Sequence, residues 1–221
     1  TLGANAFLRY AEWRARAVAE HRSGRITHAM VLAWRDVDAP AALQAAARRL
    51  PVYFMHGTRD FLAGPAFLAH CGITGLQDPT VLSFAGQRYL LSHGDALCVD
   101  DVDYQRFRVQ ARSVEWQEHF LAQPLAQRRA QARGIRAESE ARKQSGAVYA
   151  DVDGPAAIAW LQAAQATTLV HGHTHRPAEH TLAPDVRRVV LSDWDAAAHP
   201  PRADVLRLTP QGLERIAIVP T

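Results

Sequence analysis

Three histidines stand at alternate positions in the run from Thr167 to Pro177 (Thr-Thr-Leu-Val-His-Gly-His-Thr-His-Arg-Pro): His171, His173 and His175. Imidazoles two residues apart at a strand end or in a tight loop can converge on one or two metal ions, or on a phosphate. Thr167 to Val170 predicts the buried strand that delivers them. Gly172 lets the backbone bend or approach closely, and Pro177 ends the strand. Two other apolar runs finish in the same manner. Pro51-Val-Tyr-Phe-Met leads into His56-Gly57-Thr58-Arg59-Asp60, and Arg88-Tyr-Leu-Leu-Ser leads into His93-Gly94-Asp95. Ligands of open α/β sheets bind outside the carboxyl ends of the strands, so three such ends predict one shared rim. Neutral imidazoles with carboxylates suit Mn, Fe, Zn or Co better than Ca or Mg. Such ions activate water and neutralise phosphoryl oxygens, and Arg59 adds a charge-assisted contact to a phosphate.

The elements that position these ends follow from periodicity. Residues 5–22 place Phe7, Leu8, Ala11, Ala15, Val18 and Ala19 on one helical stripe, and residues 26–34 read as a buried strand. A loop of Arg-Asp-Val-Asp precedes a short Ala-rich helix from Pro40 to Leu50, and the strand at 51–55 completes a parallel crossover. Residues 80–93 predict a hairpin about Ala85-Gly86. From Val102 to about Lys143 the chain is helical and polar, with an apolar stripe of Trp116, Phe120, Leu121 and Leu125 broken at Pro124. That stretch is too long for an ordinary connection and reads as an inserted lid. A helix over 154–165 leads into the central strand. The tail alternates as strands at 188–194, 203–208 and 213–219, with Pro210-Gln211-Gly212 as a turn.

Composition narrows the class. A chain of 221 residues with 48% hydrophobic content can bury one full core, so a single domain spanning 1–221 is expected, with the lid at about 113–143. Lys143 is the only lysine, and the formal net charge of +3 with no basic run argues against nucleic acid as a partner. No apolar run reaches the roughly 18–20 residues of a membrane span. The chain opens at Thr1 with neither an initiator methionine nor a signal-peptide pattern, so a trimmed start is expected. Cys71 and Cys98 make no disulfide framework, which fits a reducing, cytoplasmic setting.

Three segments carry a family resemblance: Tyr53-Phe-Met-His-Gly-Thr-Arg-Asp-Phe-Leu, Ser92-His-Gly-Asp-Ala-Leu-Cys-Val-Asp-Asp with Tyr104-Gln-Arg-Phe-Arg, and Val170-His-Gly-His-Thr-His-Arg-Pro. The chain resembles the calcineurin-like metallophosphoesterases, and within them the pyrophosphatases that cleave UDP-2,3-diacylglucosamine in lipid A synthesis. The resemblance implies an α/β fold, a four-layer α/β/β/α sandwich with a helical lid, and a dinuclear Mn2+ site at the strand ends. It implies His93, His173 and His175 as metal ligands, with Thr58 where the family carries an asparagine ligand. His93, His173 and Arg59 would serve catalysis. Thr58, Arg59, Asp101, Tyr104, Ser139, Lys143 and His173 would contact the nucleotide-sugar lipid. The apolar residues of the lid would line an acyl-chain chamber or pack on their own domain. Water attack on the pyrophosphate would release UMP and 2,3-diacylglucosamine 1-phosphate. A lipid substrate adds the expectation of peripheral contact with the inner membrane.

The chain also departs from the family pattern. No strand ends in Asp-x-His, the stretch Thr27 to Trp34 has no Asp at its end, and Asp36 and Asp38 lie beyond it at a different spacing. Thr58 offers a hydroxyl in place of an amide oxygen. What remains is a three-histidine half-site, able to hold one ion or none where the family holds two. Two readings therefore stand: a hydrolase, or a degenerate relative that binds a nucleotide-sugar lipid without cleaving it.

Overall fold

The computed structural model describes residues 39–144, 150–195, 199 and 202–218. The helix expected over 5–22, the strand over 26–34 and the carboxylates Asp36 and Asp38 lie outside the described residues. The Ala-rich helix forms as α1 (Ala39–Ala47), followed by β1 (Tyr53–Met55), α2 (Pro65–Cys71) and β2 (Thr74–Leu76). β2 runs parallel to β1, pairing Tyr53 with Thr74. Leu43, Val52, Cys71 and Ile73 form the core of this unit, with Phe54, Phe67 and Leu68 packed against it. Pro65 opens α2 and Gly72, at φ 68°, closes it in the left-handed conformation. The sequence reading placed neither α2 nor β2, because elements of seven and three residues are too short to show a period.

A mixed five-stranded sheet carries the centre of the molecule. Its order is β3 (Thr80–Phe84), β4 (Gln87–Ser92), β5 (Thr168–His171), β7 (Val186–Val190) and β6 (Glu179–Ala183). The β3–β4 hairpin turns at Ala85-Gly86 as expected, with both residues at positive φ. β4, β5 and β7 are parallel, with Ser92 opposite His171 and His171 opposite Val190. The helix expected over 154–165 forms as α6 (Gly154–Ala164), capped by Asp153, whose side chain accepts from the Ala156 amide. Its Ala157 and Leu161 pack with Leu90, Leu97, Cys98, Val152 and Leu169. Each fully buried leucine there contributes about 2 kcal/mol. The tail differs from expectation at one point: the strand placed at 188–194 is the hairpin β6–β7, turning at Asp185 (φ 60°). The short run after Pro177 showed no alternation strong enough to separate a strand from a loop. β8 (Asp204–Thr209) and β9 (Gly212–Ala217) form the last hairpin.

Between sheet strands β4 and β5 lie α3 (Val102–Ala111), α4 (Val114–Ala122) and α5 (Leu125–Gln144), the break falling at Pro124 as expected. Asp101 caps α3 and Ser113 caps α4. Trp116 stacks on Phe120 at 4.9 Å and meets Phe61, which in turn lies edge-on to Phe107. Phe120 is buried by this packing, whereas Leu121 and Leu125 are exposed. No helix among the described residues is long and apolar enough to cross a membrane.

The first histidine of the central run does not reach the rim. His171 is fully buried, with Nδ1 2.9 Å from its neighbour's carbonyl (Gly172 O) and Nε2 3.4 Å from Arg188 Nη1. Arg188 in turn grips Asp151 through two hydrogen bonds of 2.9 and 2.8 Å, which hold the Asp151 carboxyl down at about 2. Because that carboxyl is depressed in the folded chain, the pair contributes its full stability above about pH 4 and loses it as pH falls toward about 2. Asp151→Asn should therefore cost about 2 kcal/mol at pH 7, scaled down from a fully buried pair because the Asp151 side chain is 37% exposed. Thermal melts of the two chains should converge as the pH is lowered through that window. An undiminished gap at the acid end would refute the assignment.

Candidate active site

The parallel pairing of β4 and β5 sets two of the three strand ends side by side. One residue past the last pair, the His93 carbonyl accepts the Gly172 amide at 3.1 Å. The close approach falls on Gly94 rather than on Gly172. A Cβ at Gly94, where φ is 99°, would lie 2.9 Å from His171 Nδ1, whereas one at Gly172 would find ordinary contact. The third end arrives from β1: a Cβ on Gly57 would lie 3.2 Å from His93 Cε1, and the Gly57 amide donates to Asp60. The shared rim expected from three similar strand ends is present.

Its centre is the hydroxyl of Thr58. Thr58 Oγ1 lies 3.1 Å from His93 Nε2, 3.2 Å from His173 Nδ1 and 3.2 Å from the Tyr104 hydroxyl. The His93 and His173 rings are 5.1 Å apart, and Tyr104 lies 5.4 Å from His173. Burial pushes His93 down to about 4 against the pull of Asp95, and burial lowers His173 as well. Both imidazoles are thus neutral near pH 7, which is the ligating form. Burial, reinforced by Asp95, raises the Tyr104 phenol and keeps it protonated. His173 and His175 both adopt positive φ, 65° and 53°. That conformation is rare outside glycine and costs about 1–2 kcal/mol per residue, so the fold holds this loop against its local preference.

The other expected residues are distributed around this centre. Arg59 is exposed beside Thr58, and its guanidinium has no hydrogen-bond or ion-pair partner among the described residues. Asp101 is half-buried and accepts from the Tyr104 amide as the cap of α3. His175 is exposed, with Nδ1 3.9 Å from Asp193, which Arg202 also engages at 2.8 Å. Ser139 and Lys143 fall within α5, but their side chains lie outside what is described. The sequence reading assigned no role to Asp95, Arg108, Arg112 or Asp78. Asp95 is wholly buried, and its Oδ2 accepts from Tyr104, Arg108 and Arg112. Burial alone would raise its carboxyl, but His93, Arg112, Tyr104 and Arg108 together hold it below the usual range. Asp78 accepts from the Ser92 hydroxyl at 2.7 Å and the His93 amide at 3.3 Å. The four-residue spacing of Tyr104, Arg108 and Arg112 was the available signal, one helical face around one anion.

Two neutral imidazole nitrogens aimed at one oxygen suit a divalent transition ion, and the hydroxyl between them is a compatible third donor. Among the described residues, however, no three His, Cys, Asp or Glu side chains gather closely enough to hold an ion. His93 and His173 thus fit as part of a ligand set.

Two glycine substitutions separate packing from function here. Gly94→Ala combines a positive φ with a clash on a buried ring, and should destabilise by about 3 kcal/mol. Gly57→Ala meets the His93 ring edge at 3.2 Å and Asp60 Oδ1 at 3.4 Å, with no backbone penalty. It should shift the thermal midpoint little while displacing His93 from Thr58. Equal losses of stability in the two variants, read by thermal melts, would contradict this placement.

No family model matches the chain. It is 42% identical over 216 residues to the UDP-2,3-diacylglucosamine hydrolase of Chromobacterium violaceum, a match covering 94% of this chain and 88% of that protein. The protein of the same name from Bordetella pertussis is 43% identical over 182 residues, covering 80% and 70%. That from Xanthomonas campestris pv. campestris is 42% identical over 196 residues, covering 83% and 77%. Identity at this level across nearly the whole of both chains leaves one assignment: the chain belongs to the UDP-2,3-diacylglucosamine hydrolase family.

Proposed function

We propose that the chain hydrolyses the pyrophosphate bond of UDP-2,3-diacylglucosamine, giving UMP and 2,3-diacylglucosamine 1-phosphate for lipid A synthesis. The observation that carries the reading is the convergence of Thr58, His93, His173 and Tyr104 at strand ends that come from three distant parts of the chain. The similarity to proteins named UDP-2,3-diacylglucosamine hydrolase agrees with it. Water adds across the phosphoric anhydride: one P–O bond forms, the P–O bond to the bridging oxygen breaks, and both products leave as phosphate monoesters.

His93 and His173, with the Thr58 hydroxyl, would supply part of the ligand set of a Mn2+ ion, which His175 would join by turning away from Asp193. Such an ion supplies Lewis-acid polarisation of the phosphoryl oxygens and lowers the pKa of water. The chain's own side chains do the remaining work. Exposed Arg59 offers a two-pronged donor to the diphosphate, and a charge-assisted pair of that type is the strongest single anchor available at this rim. Tyr104 and Asp101 bound the nucleotide-sugar side, and Ser139 and Lys143 complete it from the long helix. α4 and α5 act as the lid of a four-layer α/β/β/α sandwich and receive the acyl chains, with exposed Leu121 and Leu125 available for them. The same exposed leucines favour work at the cytoplasmic face of the inner membrane.

Incubation of the purified chain with UDP-2,3-diacylglucosamine and Mn2+ should release UMP, and chelation should abolish the release until Mn2+ is restored. His173→Ala should lower kcat by a factor of about 100 or more, and Arg59→Ala should raise KM about tenfold. Substrate binding without UMP release would favour instead the non-cleaving relative.

A further inference from the structure

Asp95 has no role in the reaction described above, yet it lies wholly buried beside the site. A buried carboxylate is costly unless paired, and this one collects its partners on a single oxygen. Oδ2 accepts from the Tyr104 hydroxyl at 2.8 Å, Arg108 Nε at 3.0 Å and Arg112 Nη2 at 3.0 Å, while Oδ1 has no partner among the described residues. The next side chain along, Gln105, donates to the backbone carbonyl of Asp95 at 2.7 Å and to that of Cys98 at 3.0 Å. The first turns of α3 are thereby clamped onto the His93-Gly94-Asp95 strand end.

Two guanidiniums are more than one charge needs. Their side chains are 20% and 22% exposed, so either could satisfy itself with water. Tyr104 is different, because its hydroxyl also lies 3.2 Å from Thr58 Oγ1. A phenol has one proton, and a carboxylate oxygen is a stronger acceptor than an alcohol. The proton therefore goes to Asp95, which leaves the phenol oxygen's lone pairs turned toward Thr58. We infer that Asp95 is a positioning residue: braced by Arg108 and Arg112, its Oδ2 fixes both the place and the hydrogen-bond direction of the Tyr104 phenol against Thr58 and His173. This rests on the hydrolase reading for its consequence, namely that Tyr104 meets the nucleotide-sugar already oriented.

The test compares Asp95→Asn, Tyr104→Phe and the double variant in UMP release from UDP-2,3-diacylglucosamine. Each single change should raise KM about tenfold with kcat altered less than about threefold, and the double variant should be no worse than Tyr104→Phe alone. If Asp95 only supported the fold, its loss would lower kcat per mole of protein, leave KM unchanged and add in full to that of Tyr104→Phe. That result would overturn the inference. A second readout needs no turnover. 3-Fluorotyrosine placed at position 104 should show a 19F resonance that moves in Asp95→Asn, and an unmoved resonance overturns the inference by itself. Absence of UMP from the unsubstituted chain counts against the hydrolase reading alone. If Asp95→Asn does not fold, Arg108→Gln removes one brace from the partly exposed side. It should shift the same resonance and raise KM about threefold, and no change in either overturns the inference.

Discussion

The site depends on the register of two parallel strands. With Ser92 opposite His171, the chain leaves β4 and β5 with His93 and Gly172 side by side, joined by a backbone hydrogen bond. A slip of one residue would turn every side chain of either strand to the other face. His171 would then turn out of the interior, and the loop that follows it would lose its alignment with His93. The register is held by the apolar pairing of Leu90 with Leu169 beneath α6, both almost fully buried. Gly94 is the second condition, since any side chain there would occupy the space of the His171 ring.

Burial then sets the chemistry of the groups so placed. Neutral rings and a protonated phenol face each other around Thr58, while two carboxylates flank the His93 loop from within. Asp78 takes the Ser92 hydroxyl and the His93 amide on one side, and Asp95 takes α3 on the other. His93 is therefore fixed by its own main chain as well as by its ring contacts. A preorganised rim of this kind spends little free energy on ordering when a charged ligand arrives.

Much of this was legible from residue order. Alternation and turn residues located the hairpin at Ala85-Gly86, the last hairpin and the helix over 154–165, and the repeated His-Gly signature correctly joined three distant loops. Thr58, His93, His173 and Tyr104, singled out from motifs, do meet. Short elements escaped, because α2 and β2 span less than two periods of anything. The burial of His171 also escaped. Three histidines at alternate positions look equivalent in a string of letters, yet the first is still inside the strand, while the other two follow a backbone that has left the sheet through left-handed conformations. Asp95 was visible within a motif, but its importance comes from arginines one and two helical turns beyond Tyr104. Only the folded helix brings those onto one oxygen.

Phe61 lies two residues after Arg59 and meets Trp116 of α4 at 5.9 Å, with the Gln117 amide 3.4 Å from the Phe61 carbonyl. This short tether joins the backbone that carries Arg59 to a stacked pair of aromatic rings. Tilting α4 drags the Arg59 loop with it, so that loop and α4 form one mechanical piece.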